Sequence, residues 1–370
     1  MSEVFQTVKA AAVQAEPVVL DREATVDKAC RLIAEAAGNG ARLIVFPEMF
    51  IPCYVNSVVW GKGMASFGSD RAKRAWSRLW RNSVEIPSPA TDCLGRAAKK
   101  AGAVVVMGLN EREAKPGSLY NTILFIGSGG EILGKHRKLV PTSHERMIHA
   151  PGDGSTLSVF ETAAGRIGGL ICWENWMPLA RYVLYDLKEQ IHVAPNADDR
   201  EIFLVNARNT AVEGGVFVVS VCAVMRKQSF PAEFELREEL AAAPELLQSG
   251  GSAIIAPDGE YLAGPLWKEE GILYAELDLG RLVEERLLLD VTGHYSRPDV
   301  LSLRFDSSPR PKVETIGPPS DEARQTDRSL AAGPTHEPVG RGLGRKAARD
   351  APASFAAGDA GNPANPAKRK

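Results

Sequence analysis

The sequence predicts an α/β fold in which sheets are covered by helices, and three observations carry the prediction. Strand-length apolar runs alternate with a helical pattern up to Leu109, and adjacent strands joined by tight turns follow from Tyr120. A chain of 370 residues with 44% hydrophobic content can also bury a full core.

Taken in order, residues 8–15 read as a strand, and Asp21 is a suitable N-cap for a helix in which Ala29, Leu32, Ile33 and Ala36 share one face. Glycines at 38 and 40 end that helix, and residues 42–46 form a second strand. The β-α-β order repeats with a helix over 91–101 and a strand over 103–109. Ser128-Gly129-Gly130 then turns a hairpin between strands 121–126 and 131–134. A Gly-spaced apolar strand over 166–171 runs into a helix over 177–187, with Pro178 near its start. There follow a strand at 191–194, a helix at 199–213 and a strand at 216–223. Strands 251–256 and 261–263 flank the turn Pro257-Asp258-Gly259-Glu260, and a last strand covers 271–277. Past about Ser307 the composition shifts to Pro, Gly, Ala, Ser and mixed charge, too little apolar surface to offset chain entropy. Residues 1–306 are therefore expected to form the domain and 307–370 a disordered tail.

Bulk properties exclude several function classes. A formal net charge of -2 offers no basic field to nucleic acid, and no apolar run is long enough to span a bilayer. Met1-Ser2-Glu3-Val4 lacks the pattern of a secretory signal, so a cytoplasmic location is expected. The five cysteines are scattered without a C-x-x-C pair, and His136, His144 and His149 lie in a loop-like stretch without metal-ligand spacing. No metal and no cofactor are expected.

The chemistry centres on Cys172. A free cysteine is ordinarily a small buried hydrophobe. Here it falls where a strand meets a helix, beside backbone N–H groups and the positive end of a helix, which favour thiolate and can receive an oxyanion. Two other strand ends supply polar partners. Glu48 lies in Phe46-Pro47-Glu48-Met49-Phe50, whose apolar flanks imply partial burial and hence a charged partner or a raised pKa. Lys138 lies in His136-Arg137-Lys138-Leu139-Val140-Pro141-Thr142.

These segments, with Glu145-Arg146, Gly152-Asp153-Gly154 and Cys172-Trp173-Glu174-Asn175-Trp176-Met177-Pro178-Leu179, resemble the nitrilase branch of the carbon-nitrogen hydrolase superfamily. The resemblance runs from Val8 to about Phe305. It implies a four-layer α-β-β-α sandwich, a catalytic Glu48, Lys138 and Cys172 in one pocket, and a second glutamate at Glu145. By family position Tyr54, Trp173, Trp176 and Asn196 are substrate-pocket candidates. The sequence departs from the family at Cys53, where a glycine is expected, and at 209–212, where an Arg-His pair is absent.

The implied reaction is hydrolysis of a small-molecule nitrile to the acid and ammonia, with Glu48 as base, Cys172 as nucleophile, and Lys138 and the Trp173 N–H stabilising charge on nitrogen. Lys138 is also expected to keep Glu48 ionised, and Glu145 to orient Lys138. The rival readings are an amidase of the same superfamily, a cyanide-converting enzyme, and a catalytically silent binding protein. The resemblance also implies a homo-oligomer, dimer or larger and spiral in some relatives, paired through the helical layer.

Overall fold

The computed structural model describes residues 5–310 apart from 67, 115 and 116, and it has the expected four layers. One sheet is built from β1 (Thr7–Gln14), β2 (Leu43–Val45), β3 (Val104–Arg112), β4 (Leu119–Ile126) and β5 (Ile132–Arg137). The second contains β6 (Phe160–Thr162), β7 (Gly165–Gly169), β8 (Ile191–Asn196), β9 (Phe217–Cys222), β10 (Val224–Arg226), β11 (Leu246–Ile255) and β12 (Tyr261–Trp267). The last strand, β13 (Gly271–Asp278), returns to the first sheet beside β1. The orders are β13-β1-β2-β3-β4-β5 and β10-β11-β9-β8-β7-β6, with β12 pairing β11. The β1-β2-β3 and β7-β8-β9 pairings are parallel.

Alternation along the strands makes the layers. In β1, Val8, Ala10 and Ala12 join Leu43, Val45, Val104 and Val106 in a core shared with Ile167, Ile191, Val193, Phe217 and Val219 of the facing sheet. The residues between them, Ala11 and Val13, face the other way with Ile44, Val105 and Met107, under Ala29, Ile33, Leu94 and Ala98 of two outer helices. On the far side, Ala194, Val218, Ala253 and Ile255 lie under Phe203, Leu204, Ala207 and Ala211. Strands buried on both faces read as continuous apolar runs, which is why they were legible.

Asp21 caps the helix Arg22–Gly38, its carboxylate accepting from the Ala24 N–H. The helix expected from Thr91 begins at Pro89, because Ser88 is the cap and Thr91 closes its capping box. β11 begins five residues before position 251, since Gly250 and Gly251 hide the pattern. A side chain at Gly250 would meet Gln14 at 2.3 Å, so the strand passes hard against β1 there. The sequence reading missed the helix Asp70–Asn82, whose buried stripe is only Ala72, Ala75 and Leu79 among four arginines. Trp60, Phe230, Phe234 and Leu236 join Leu79 in a satellite core that also holds Met49 and Cys53.

The thiol junction also differs from expectation. β7 ends at Gly169, a single 3₁₀ turn covers Cys172–Trp176, and the helix Pro178–Asp186 starts only afterwards. Cys172 is thus at the head of a tight turn, not of a helix. The expected tail lies outside the described residues except for 307–310, where the Arg310 N–H donates to Asp153 Oδ2 at 3.0 Å. Among the described residues no helix is long and apolar enough to cross a membrane.

Candidate active site

Three strand ends deliver Glu48, Lys138 and Cys172, and all three side chains are buried. Glu48 follows β2 in a loop laid directly on β3. A side chain at Gly108 would come within 2.0 Å of the Pro47 carbonyl, so glycine there is what lets the loop approach. Lys138 follows β5 and is fixed by its own N–H donating to the Asn121 carbonyl of β4 at 2.8 Å. Its Nζ donates to Glu48 Oε1 at 2.8 Å and to Glu145 Oε1 and Oε2 at 3.1 and 2.9 Å. The Asn121 side chain sits under the same group, its Nδ2 donating to Glu48 Oε1 at 2.6 Å and reaching Glu145 Oε2 at 3.4 Å. Asn121 was not foreseen: it is a mid-strand residue, and only the pairing of β4 brings it here. Glu145 is buried in the turn Ser143–Met147, where the Thr142 N–H also donates to it. Lys138 is therefore its partner; Arg146 bonds the Pro141 carbonyl instead.

The electrostatics of this cluster divide the two carboxylates. Burial pushes Glu48 up, Lys138 pulls it back and Glu145 raises it again, leaving it at about 7. Lys138 thus falls short of keeping Glu48 in the ordinary carboxylate range, a correction to the sequence reading. For Glu145 burial also raises the pKa, but Lys138, His149 and the Thr142 N–H more than offset it and hold it below the usual value. Burial opposes the charge on Lys138 as well, and the carboxylates overcome it, holding the ammonium protonated. Glu48 Oε2 is buried and has no hydrogen-bond partner among the described residues. One oxygen of this carboxylate is held by Lys138 and Asn121; the other is free to take a proton.

Cys172 adopts φ +54°, a left-handed conformation unusual for a residue with a side chain. Burial pushes its thiol well above the ordinary range, Glu48 adds to this, and Lys138 and the Ala197 N–H only partly offset it. The helix Pro178–Asp186 starts six residues after Cys172, and burial dominates the thiol. The resting group is a thiol that needs a base.

Glu174, read in the sequence only as a family marker, ties the two loops together. Its Oε2 accepts from the Ile171 N–H and bonds His136 Nε2, each at 2.9 Å, and its Oε1 accepts from the Leu139 N–H at 2.7 Å. Burial raises the Glu174 carboxyl, but His136 and these N–H groups more than offset it. The carboxylate thus staples the Cys172 turn to the segment that follows Lys138.

Of the pocket candidates, Tyr54 reaches the cluster, its hydroxyl donating to Glu145 Oε1 at 3.4 Å. Asn196 is buried at the end of β8, its Nδ2 donating to Ala194 O and Ser220 Oγ while Oδ1 has no partner among the described residues. The rings of Trp173 and Trp176 lie at the surface, 44% and 37% exposed, with centroids 6.3 Å apart. Trp173 Nε1 donates to Asp198 Oδ2 at 2.9 Å. Cys53 is buried and its thiol is pushed up to about 12 by desolvation, while its carbonyl accepts from Asn110 Nδ2. The three clustered histidines go separate ways: His136 to Glu174, His144 to the Val55 carbonyl and His149 to Asn110 Oδ1.

Known proteins resemble this chain over most of its length. The carbon-nitrogen hydrolase family matches residues 9–286. The chain is 43% identical over 307 residues to the bifunctional nitrilase/nitrile hydratase NIT4A of Lupinus angustifolius, covering 82% of this chain and 87% of that one. It is 42% identical over 311 residues to the nitrilase blr3397 of Bradyrhizobium diazoefficiens, covering 84% and 95%. Among solved structures, Saccharomyces cerevisiae Nit3, a member of the nitrilase superfamily, aligns with a TM-score of 0.62 at 22% identity over 80% of this chain and 98% of that one, which speaks to the fold.

Proposed function

The chain belongs to the carbon-nitrogen hydrolase family as a nitrilase, and on that premise we propose that it converts a nitrile to the carboxylic acid and ammonia through covalent intermediates on Cys172. The observation that carries this reading is the buried Glu48–Lys138–Glu145 cluster, in which Lys138 is clamped between two carboxylates and Glu48 Oε2 is left unpaired. A buried thiol with a raised pKa attacks well only if its proton leaves as the bond forms. Glu48, at about 7, has the affinity to accept that proton at neutral pH.

In the proposed sequence Cys172 sulfur adds to the nitrile carbon while its proton passes to Glu48. The nitrogen gains that proton, and Lys138 with the Trp173 N–H stabilises the charge that develops there. The product is a thioimidate. Water, deprotonated by Glu48, adds to the same carbon; the C–N bond of the tetrahedral species then breaks and ammonia departs, leaving a thioester. A second water cleaves the C–S bond and releases the acid, so two waters are consumed per nitrile. Glu145 holds Lys138 in place throughout.

A second outcome is breakage of C–S rather than C–N at the tetrahedral stage, which would release the amide. The bifunctional name of the lupin relative favours testing for it. Ammonia, acid and amide released from a panel of aliphatic, aromatic and arylacetic nitriles, with Cys172→Ala as blank, tests the reading. Ammonia from nitriles and none from the blank is expected; faster release from the matched carboxamides would favour an amidase.

The same proposal includes self-association. The outer helices Pro178–Asp186 and Glu201–Gly214 expose Leu179, Ile202, Val205 and Val212, an apolar face suited to a second copy of the chain.

A further inference from the structure

We propose that Asn175, oriented by the buried pair Glu189 and His192, holds Cys172 in its left-handed turn, which makes these three positioning residues for the nucleophile. The inference rests on Cys172 being the nucleophile, and its test is chosen to separate the two.

A non-glycine residue at φ +54° is strained and persists only where its surroundings over-determine it. One side chain grips both the peptide that follows Cys172 and the one that joins Leu170 to Ile171, so it spans the nucleophile's backbone. Asn175 Nδ2 donates to the Leu170 carbonyl at 3.0 Å and to the Cys172 carbonyl at 2.8 Å. Two carbonyls at one end of the amide identify that end as the nitrogen, so Oδ1 is the atom facing His192 Nε2 at 2.7 Å. His192 Nε2 therefore carries the hydrogen. Its Nδ1 lies 3.1 and 3.2 Å from the two oxygens of Glu189.

All three side chains are buried, and the backbone makes room for them. His192 of β8 pairs in register with Gly168 of β7. A side chain at Gly168 would come within 2.3 Å of Glu189 Oε2, so the carboxylate occupies the space a larger residue would fill. The line Gly168, Glu189, His192, Asn175, Cys172 thus runs from the sheet to the strained turn. Only a side chain with two N–H donors and an acceptor in one plane can serve at position 175. Aspartate has the same shape but cannot donate to two carbonyls.

The test compares full-length parent protein with Asn175→Asp, His192→Leu and His192→Gln, the last retaining an amide donor where Nε2 stands. Each is read by thermal melting, by kcat and KM for nitrile-dependent ammonia release, and by the rate at which iodoacetamide captures Cys172, located by peptide mass mapping. Misplacing a reacting atom by about 1 Å costs on the order of 100-fold. Asn175→Asp and His192→Leu are expected to lose about that factor in kcat and in Cys172 capture, with KM within about 3-fold. His192→Gln is expected to retain at least about ten times the kcat of His192→Leu. Near-parental kcat and capture in Asn175→Asp would overturn the inference, as would losses that track only the folded fraction in all three variants. If Cys172→Ala retained nitrile hydrolysis, the nitrilase mechanism would fail, while the capture rates would still report whether Asn175 positions the thiol.

Discussion

Glu48 and Cys172 are each unsuited alone to the roles proposed for them, and in the proposed mechanism each offsets the other's fault. The thiol is too weakly acidic to ionise by itself, and the carboxyl is too desolvated to stay ionised at low pH. The rate is therefore expected to rise with pH through an apparent pKa near 7 as Glu48 becomes the base. A profile of kcat/KM from pH 5 to 9 checks this, and a flat profile would remove Glu48 from the role. Glu48→Gln, which keeps the shape and loses the base, should lower kcat by roughly 100- to 10,000-fold.

The same carboxyl bears on stability, with a definite sign. Its folded pKa of about 7 lies above the ordinary 4.5, so the folded state holds the proton more tightly, and its contribution to stability is lost as pH rises from about 4.5 through 7. Glu48→Gln does not titrate. Its melting temperature relative to the parent is expected to increase between pH 5 and pH 8; a constant difference would show that the carboxyl is not desolvated.

At the level of elements, the site is three strand ends held together by buried polar staples. Truncating one staple, Glu174→Ala, would leave the Ile171 and Leu139 N–H groups and His136 Nε2 without their acceptor. Breaking a buried pair from one side costs about 3 to 5 kcal/mol, and the melting temperature should fall accordingly. Glu174→Gln, which still offers one acceptor oxygen, should fall less; equal melting of all three proteins would show that the staple carries no load.

The strand ends themselves were legible, because strands buried on both faces are continuous apolar runs and the polar residues that interrupt them stand out. Glu48, Lys138 and Cys172 were found that way, with the family pattern supplying their roles. The staples were not legible. Asn121 and His192 lie inside strands and Glu189 just before one, where they look like ordinary polar residues; only sheet register and Gly168 bring them to the site. The helix Asp70–Asn82 was hidden for a different reason, its thin stripe of small residues, although Ser69 as N-cap was a usable signal.

For the whole molecule, the four layers account for how one sheet can bring Glu48 and Lys138 while the other brings Cys172. The described chain ends in exposed residues, with Arg310 still bonded to Asp153 four residues beyond the expected boundary at 306. A chain ending at Arg310 is therefore expected to melt with the parent and keep its activity, and loss of soluble protein would show that the remainder is structural. Val205→Asp on the outer helical face is expected to shift the protein to smaller assemblies in sedimentation or gel filtration. An unchanged size would place the contact elsewhere.

In the proposed reaction Cys172, served by Glu48 and Lys138, turns a nitrile into acid and ammonia. Its most direct test follows one nitrile substrate by parallel assay of ammonia and carboxylic acid, with parent protein and Cys172→Ala. The parent is expected to release equal amounts of ammonia and acid, with any shortfall from nitrile consumed appearing as amide, and the variant nothing above background. Equal ammonia from both proteins would contradict it.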